Sequence, residues 1–211
     1  GLSVGINYPE PLLRNPGDID LFLYGKGNYK KSIDWISGKG IDLEVGDHIH
    51  YTYNYDGIIV ENHCRISFFD NIKYDKQFRE WEKELSVMEN FTFMEIDGKK
   101  FRQLPVEMNA FFIFQHMFRH FAHMGVGFRQ YCDWLLFLSK YHSDINPESF
   151  TAIAKSYALL YPMQVFALTA VKYLGVSDSI FPFNMISEDK YVDKVIEDIF
   201  DSGNFGFYKH K

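Results

Sequence analysis

The chain has 211 residues, of which 46% are apolar and 18% aromatic, and its formal net charge is −6. This composition excludes a disordered polar chain, because the apolar side chains are numerous enough to form a core. The acidic balance argues against general nucleic-acid binding, which needs a surplus of Lys and Arg to neutralise phosphates. No apolar run reaches the roughly 20 residues that cross a bilayer, so no membrane partner is expected.

The cysteines and the start of the chain bear on its compartment. Cys64 and Cys132 are isolated and form no C-x-x-C pair, which is typical of a reducing compartment. No charged-then-apolar leader is present, so we predict a cytoplasmic protein. The chain starts at Gly1 without a Met, and residues 1–8 resemble the interior of an element. We therefore expect the chain to be a piece of a longer protein.

The first half of the chain mixes strand-like and helix-like patterns, so residues 1–104 are predicted to form an α/β domain. Asp56-Gly57 and Asp97-Gly98 follow strand-like runs and predict two β-hairpins. In chain order, the other predicted elements are the tail of a helix over 1–8, a strand at 18–24, a helix at 28–37, strands at 41–45, 48–54 and 57–68, and a charged helix at 74–88.

From Pro105 onward the strand patterns stop, and residues 105–211 are predicted to form an α-helical domain. The predicted fold class is therefore α+β, with a small mixed sheet followed by helices. The abundant Phe and Tyr are interpreted as core residues between those helices. The predicted helices are 105–123, 127–141, 147–158, 162–174 and 188–201, with Gly, Pro and Asn in the joints.

Two aspartates separated by one residue introduce the first short strand. In a strand, Asp18 and Asp20 project from the same face, and Ile19, Leu21 and Leu23 project from the other. Two like charges on one face repel each other, and removing them from water costs several kcal/mol unless a positive group lies between them. This arrangement predicts a divalent cation.

A third carboxylate lies in a neighbouring predicted strand. Glu61 interrupts a run of β-branched residues, where a carboxylate carries a burial cost that needs an explanation. One explanation is a metal ligand. The alternative is a structural ion pair, with Arg65 as the partner, or a Glu exposed at the end of the strand.

These residues together resemble a known family. The pattern YP.P..R..GDIDL, followed about forty residues later by a strand of the form hhxExH, resembles an uncharacterised branch of the nucleotidyltransferase superfamily, which has the DNA polymerase beta-like fold. The helical segments LPVEMNAFFIFQHMFRHF and GFRQYCDWLLFL also resemble that branch. The pattern includes Tyr8, Pro9, Pro11, Arg14, the run from Gly17 to Leu21, and then Glu61 and His63.

The resemblance implies transfer of an NMP from an NTP, such as ATP, to an acceptor hydroxyl with release of pyrophosphate. It implies that Asp18, Asp20 and Glu61 are catalytic residues and ligands of Mg²⁺ or Mn²⁺. The superfamily carries a glycine pair upstream of its D-x-D that contacts phosphates, and this branch tends to have Lys-Gly; Gly1 lies where that Gly would fall. Arg14 and Gly17 are further nucleotide-binding candidates, although Arg14 could instead cap the loop.

Histidines provide the remaining candidates. His63 could orient Glu61 through a hydrogen bond or be an ordinary satisfied histidine. His48 and His50 are interpreted as cleft-lining or exposed residues rather than as ligands. On the long helix, His116, His120 and His123 share a face, and we expect this face to bind the acceptor. The spacing of His116 and His120 also fits zinc, but no Glu lies between them to act as a general base.

The sequence therefore predicts a metal-dependent nucleotidyltransferase whose partners are an NTP and an unidentified acceptor. Two rivals remain open. The first is a catalytically inactive scaffold of the same fold that binds a nucleotide or a partner protein. The second is a zinc hydrolase that uses the helix histidines.

Overall fold

The structure is a computed structural model that describes residues 1–15, 17–46, 49–88 and 90–202. The prediction made for His48 lies outside the described residues. The chain divides into two compact units, Gly1–Gln103 and a second that begins at Leu104. The fold class is α+β, with a small mixed sheet and a two-stranded sheet in the first unit and helices in the second, which confirms the predicted fold class.

The first unit is built on a mixed four-stranded sheet with strand order β1-β4-β3-β2. The first strand runs parallel to β4, and the other neighbours are antiparallel. A separate hairpin pairs β5 with β6. The elements of this unit are α1 (Leu2–Gly5), β1 (Ile19–Phe22), α2 (Asn28–Ser37), β2 (Glu44–Val45), β3 (His50–Tyr55), β4 (Ile58–His63), α3 (Ile72–Met88), β5 (Thr92–Ile96) and β6 (Lys99–Gln103).

Both predicted hairpins are confirmed. Asp56 and Gly57 join β3 to β4 with φ values of 51° and 82°, and Asp97 and Gly98 join β5 to β6 with values of 49° and 72°. A positive φ at both central positions gives a turn whose twist matches that of the strands, and Asp-Gly tolerates it. The side chain of Asn54 accepts a hydrogen bond from the Gly57 amide at 2.8 Å.

The predicted strand over 57–68 is wrong at its C-terminal end, because β4 stops at His63. Beyond it, Arg65 bonds to Glu82 at 3.0 Å and to Asp75 at 2.9 Å, both on α3. Glu82 also accepts a hydrogen bond from the Ile66 amide at 2.5 Å. The amide of Cys64 still donates to the carbonyl of Ile49 at 2.8 Å, and the contacts with the carboxylates of α3 begin at the next residue. The predicted strands 18–24, 41–45 and 48–54 are likewise observed with shifted or shorter bounds.

Helix α2 contacts one face of the four-stranded sheet through Tyr51. The hydroxyl of Tyr51 in β3 donates to Ser32 of α2 at 2.6 Å, and the amide of Asn62 in β4 donates to Tyr51 at 2.6 Å. Tyr51 and Asn62 are both buried, and they are register partners. Residues adjacent to Asn62 in β4 project to the opposite face, because side chains alternate along a strand.

The second unit contains five α-helices among the residues that the structure describes. An aromatic cluster fills its core, with ring centroids 4.8 Å apart for Phe114 and Trp134 and 5.5 Å apart for Phe114 and Phe166. In the part of the chain described here, no helix has the length and apolar character needed to cross a bilayer. The helices are α4 (Val106–His123), α5 (Phe128–Tyr141), α6 (Pro147–Ser156), α7 (Leu160–Leu174) and α8 (Val192–Asp201), the last beginning later than the predicted 188.

Candidate metal and nucleotide site

Three carboxylates converge on the sheet face opposite α2. Asp20 in β1 is the register partner of Glu61 in β4, so the two side chains project side by side. Asp18 precedes β1 by one residue and lies on the same side as Asp20. Each of the three residues offers a carboxylate oxygen that lies within 4.8 Å of the other two. The side chains are half-buried or exposed, so a small charged ligand can reach them.

His63 lies between two of these carboxylates. Its Nε2 is 3.2 Å from Oδ1 of Asp20 and 3.3 Å from Oε2 of Glu61. Burial of the ring lowers the pKa of His63, but hydrogen bonds to Asp20 and Glu61 outweigh it and raise that pKa to about 9. The other ring nitrogen, Nδ1, is buried and has no hydrogen-bond partner among the described residues. All polar contacts of the ring are therefore made by Nε2, and they fix its orientation toward the carboxylates.

A second histidine reaches the same site from the neighbouring strand. His50 is the register partner of His63, and the two ring centroids are 4.9 Å apart. Its Nε2 lies 3.8 Å from Oε2 of Glu61. His50, Glu61 and His63 thus form a second group whose potential ligand atoms all lie within 4.8 Å of one another.

The segment before β1 also lies close to the carboxylates. A Cβ built on Gly1 would be 3.8 Å from Oδ2 of Asp20, so the backbone at Gly1 approaches the site closely. Arg14 is buried, and its Nη1 donates to the carbonyl of Gly1 at 3.5 Å. Gly17 is exposed, and a Cβ built on it would meet no atom within 4 Å. Gly1 and Arg14 therefore lie against one another beside β1, whereas nothing in the packing requires a glycine at position 17.

Glu61 does not use Arg65 as its partner. The carboxylates that contact the Arg65 guanidinium are Asp75 and Glu82, whereas the basic side chains found within 4 Å of the Glu61 carboxylate are His50 and His63. The structural ion pair considered for Glu61 is therefore formed elsewhere, by residues of α3. The Glu61 side chain is 24% exposed and lies within β4 rather than at its end, so the alternative of an exposed terminal Glu does not apply either. The remaining explanation for a carboxylate in this strand is its place among the converging side chains.

A family model described as an uncharacterised nucleotidyltransferase matches residues 1–175 of the chain. The chain belongs to this family. The match includes all three converging carboxylates and extends into the helical unit as far as the end of α7. No curated protein and no solved structure matched the chain significantly. Membership of the nucleotidyltransferase family supports nucleotidyl transfer as the general chemistry, with a nucleotide as substrate.

In this nucleotidyltransferase family member, the helix histidines form a separate pair. Nε2 of His116 and Nε2 of His120 are 3.1 Å apart on α4. Burial, with Arg119 and His123 nearby, lowers the pKa of His120. Among the described residues, neither group of three or more potential metal ligands includes these histidines. Their assignment to the acceptor side stays a prediction.

The position of His50 beside Glu61 could have been predicted by counting residues along both strands from the hairpin turn. Because a two-residue turn at Asp56-Gly57 pairs Tyr55 with Ile58, counting back along both strands brings His50 opposite His63. The sequence interpretation considered His50 only by its own strand face. The pairing across the hairpin makes it a neighbour of Glu61.

Proposed function

We propose that this protein transfers an NMP from an NTP to an acceptor hydroxyl and releases pyrophosphate. The acceptor oxygen forms a bond to the α-phosphorus of the NTP. The bond that breaks joins this phosphorus to the oxygen that bridges the α- and β-phosphates. The hydroxyl loses its proton, and pyrophosphate leaves with the bridging oxygen. Residues 1–104 would carry out this chemistry as a nucleotidyltransferase-like domain, followed by the α-helical domain 105–211.

One observation carries the proposal: three carboxylates converge on one sheet face in a chain that belongs to a nucleotidyltransferase family. Asp20 and Glu61 are fixed beside each other by the parallel register of β1 and β4. The imidazole of His63 lies between Asp20 and Glu61 and offers at most one positive charge to these two carboxylates. Like charges at this spacing repel one another, which favours a role in binding cations.

The donor set fits Mg²⁺ or Mn²⁺. Hard divalent ions prefer carboxylate oxygens, and Asp18, Asp20 and Glu61 offer such oxygens within one small region. When bound there, such ions would neutralise the triphosphate and polarise the attacking and leaving oxygens. The three carboxylates would hold these ions, and their geometry on two hydrogen-bonded strands limits how far they can move apart.

The other residues of the site would bind and orient the nucleotide. The backbone of Gly1 lies beside Asp20, because a Cβ built on it would be 3.8 Å from Oδ2 of Asp20, and Gly1 would contact a phosphate through that backbone. Arg14 would support this segment through the Gly1 carbonyl, which is the loop-capping role rather than direct phosphate contact. Gly17 would act only through its position beside Asp18. His63 would orient Glu61, and Glu61 would receive the proton of the acceptor hydroxyl.

The proposal is tested by a screen for turnover. The protein is incubated with each of the four NTPs, labelled at the α-phosphate, and Mg²⁺ or Mn²⁺. Pyrophosphate release and transfer of label to the protein or to added hydroxyl compounds are then measured. We expect release that Asp18→Asn, Asp20→Asn and Glu61→Gln abolish. Asp56→Asn at the hairpin turn and Glu95→Gln on β5 are matched controls, because both side chains are exposed.

A scaffold that binds nucleotide without turnover is the alternative outcome. It predicts that NTP binds to the protein while no pyrophosphate forms with any NTP, metal or acceptor. Loss of turnover in the control variants as well as in the carboxylate variants would also contradict the assigned roles. Variants of His116 and His120 that bind the NTP as the parent does but slow transfer to one acceptor would support their proposed place on the acceptor side.

A further inference from the structure

The carboxylate site has a nitrogen-rich side that nucleotidyl transfer does not require. His50 and His63 come from adjacent strands, β3 and β4, and both direct Nε2 toward the same oxygen, Oε2 of Glu61. The distances to this oxygen are 3.8 Å for His50 and 3.3 Å for His63. Two imidazoles and a carboxylate are a different donor set from the three carboxylates of Asp18, Asp20 and Glu61.

This donor set selects another class of ion. Imidazole nitrogens suit zinc and its first-row neighbours, whereas Mg²⁺ prefers oxygen ligands and retains its waters. Donor atoms that bind one zinc ion at about 2.0–2.2 Å lie roughly 3–3.5 Å from each other in a tetrahedral site. The distances to Glu61 of 3.8 Å and 3.3 Å are close to this range, and all three donor atoms lie within 4.8 Å of one another, so the side chains need to move only slightly to close around an ion.

A glycine makes room for the histidine on β3. A Cβ built on Gly46 would lie 2.1 Å from Nε2 of His50 and 2.7 Å from both ring carbons next to that nitrogen. No real Cβ contact is that short, so any side chain at position 46 would displace the imidazole. The backbone at Gly46 therefore supports the ring in the position from which it reaches Glu61.

We propose that His50, Glu61 and His63 bind one divalent ion of the zinc class, with Gly46 as the residue that lets His50 take part. Glu61 is common to this site and to the proposed nucleotidyl-transfer site, and the inference deepens that site by naming a second kind of ion for it. The ion binds without NTP, so metal binding and nucleotidyl transfer can be measured separately.

The test is a titration of metal-free protein with Zn²⁺ alone, followed by calorimetry, and with Co²⁺ alone, followed by its visible absorption. The parent for all variants carries His116→Ala and His120→Ala, because that helix pair could bind the same ions. We expect one equivalent to bind. Since even the groups that orient a ligand change affinity by about 10–100-fold, His50→Ala and His63→Ala should weaken binding by at least about 100-fold.

Two control variants separate this site from its neighbours. His142→Ala removes a histidine from the end of α5, and Asp56→Asn removes an exposed carboxylate from the turn between β3 and β4. Both should bind Zn²⁺ with the affinity of the parent. The proposal is overturned if His50→Ala binds as the parent does, or if Asp56→Asn loses as much affinity as His50→Ala.

Gly46→Ala tests the contact with His50 directly. In the parent it should weaken Zn²⁺ binding, because the methyl group pushes the imidazole away from Glu61. Combined with His50→Ala it should have no further effect, because the displaced group is already absent. Equal losses in both backgrounds, or no loss in either, would contradict the assigned role of Gly46.

The outcome can be distinguished from that of the proposed function. Absence of Zn²⁺ binding together with Mg²⁺-dependent pyrophosphate release would remove this inference alone. Zn²⁺ binding by His50, Glu61 and His63 without any release of pyrophosphate would leave the metal site in place and remove nucleotidyl transfer.

Discussion

Asp20 and Glu61 lie side by side on the parallel strands β1 and β4, and the imidazole of His63 hydrogen-bonds to both. The positive charge of that ring offsets part of the repulsion between the two carboxylates. The two interactions are strong enough to raise the pKa of His63 to about 9 despite burial of the ring. In the absence of metal, a proton on His63 therefore acts as the local counter-charge.

The stability of the metal-free protein should depend on pH through His63. Its pKa in the folded state is about 9, above the ordinary value of 6.5, so the stabilisation is fully present below pH 6.5 and is lost as pH rises through 9. In EDTA, His63→Gln should therefore lower the free energy of unfolding more at about pH 6 than at about pH 10. Because Asp20 is half-exposed, we expect a difference on the order of 1 kcal/mol.

Denaturant titrations of parent and variant at both pH values measure this difference, and other titrating groups cancel in the comparison. Asp20→Asn alone and combined with His63→Gln completes a double-mutant cycle. The coupling free energy between these two residues should fall toward zero at the higher pH. A cost of His63→Gln that is the same at both pH values would show that the ring stabilises the fold by packing alone.

Arg65 and Arg79 both bond to Asp75, and Arg65 should contribute far more to the free energy of unfolding. Arg65→Met leaves Glu82 buried without its cation, which typically costs about 3–5 kcal/mol. Arg79 also bonds to Asp75, but its side chain is 55% exposed, so Arg79→Met should cost only about 0.3–0.5 kcal/mol. Chemical denaturation of both variants checks this ranking, and equal costs would contradict the buried network.

The hydroxyl of Tyr51 should stabilise the strand that carries Glu61 and His63. Tyr51→Phe removes the acceptor of the buried Asn62 amide, and an unsatisfied buried donor costs about 1–3 kcal/mol. Tyr55→Phe is the matched control on the same strand, because the Tyr55 side chain is exposed and the change should be nearly neutral. Thermal unfolding of both variants measures the difference. A neutral Tyr51→Phe would mean that Asn62 finds another partner.

Local patterns predicted much of the first unit. Helix α2 has the predicted bounds, 28–37, because its apolar spacing and the following glycines are signals contained within the segment itself. Both hairpin turns were predicted for the same reason, since Asp-Gly provides the two positive φ angles. The sequence singled out Asp18, Asp20 and Glu61 because carboxylates are unexpected in apolar strands, and the structure brings their oxygens within 4.8 Å of one another.

Other features depend on pairings that a linear pattern does not contain. Beyond the end of β4 at His63, Arg65 bonds to Asp75 and Glu82, which belong to a helix further along the chain. Likewise, the approach of Gly1 to Asp20 depends on how the chain returns to β1. Contacts of this kind arise from tertiary packing, which local residue preferences do not determine.

The most direct test of the central claim is the metal dependence of NTP binding in the carboxylate variants. Calorimetry should show that the parent binds an NTP in the presence of Mg²⁺ and loses this binding in EDTA. Asp18→Asn and Glu61→Gln should remain folded in EDTA and fail to bind the NTP with Mg²⁺, while Glu95→Gln binds as the parent does. If Asp18→Asn and Glu61→Gln instead bind the NTP with the affinity and Mg²⁺ dependence of the parent, the converging carboxylates are structural and the nucleotidyl-transfer site is wrongly assigned.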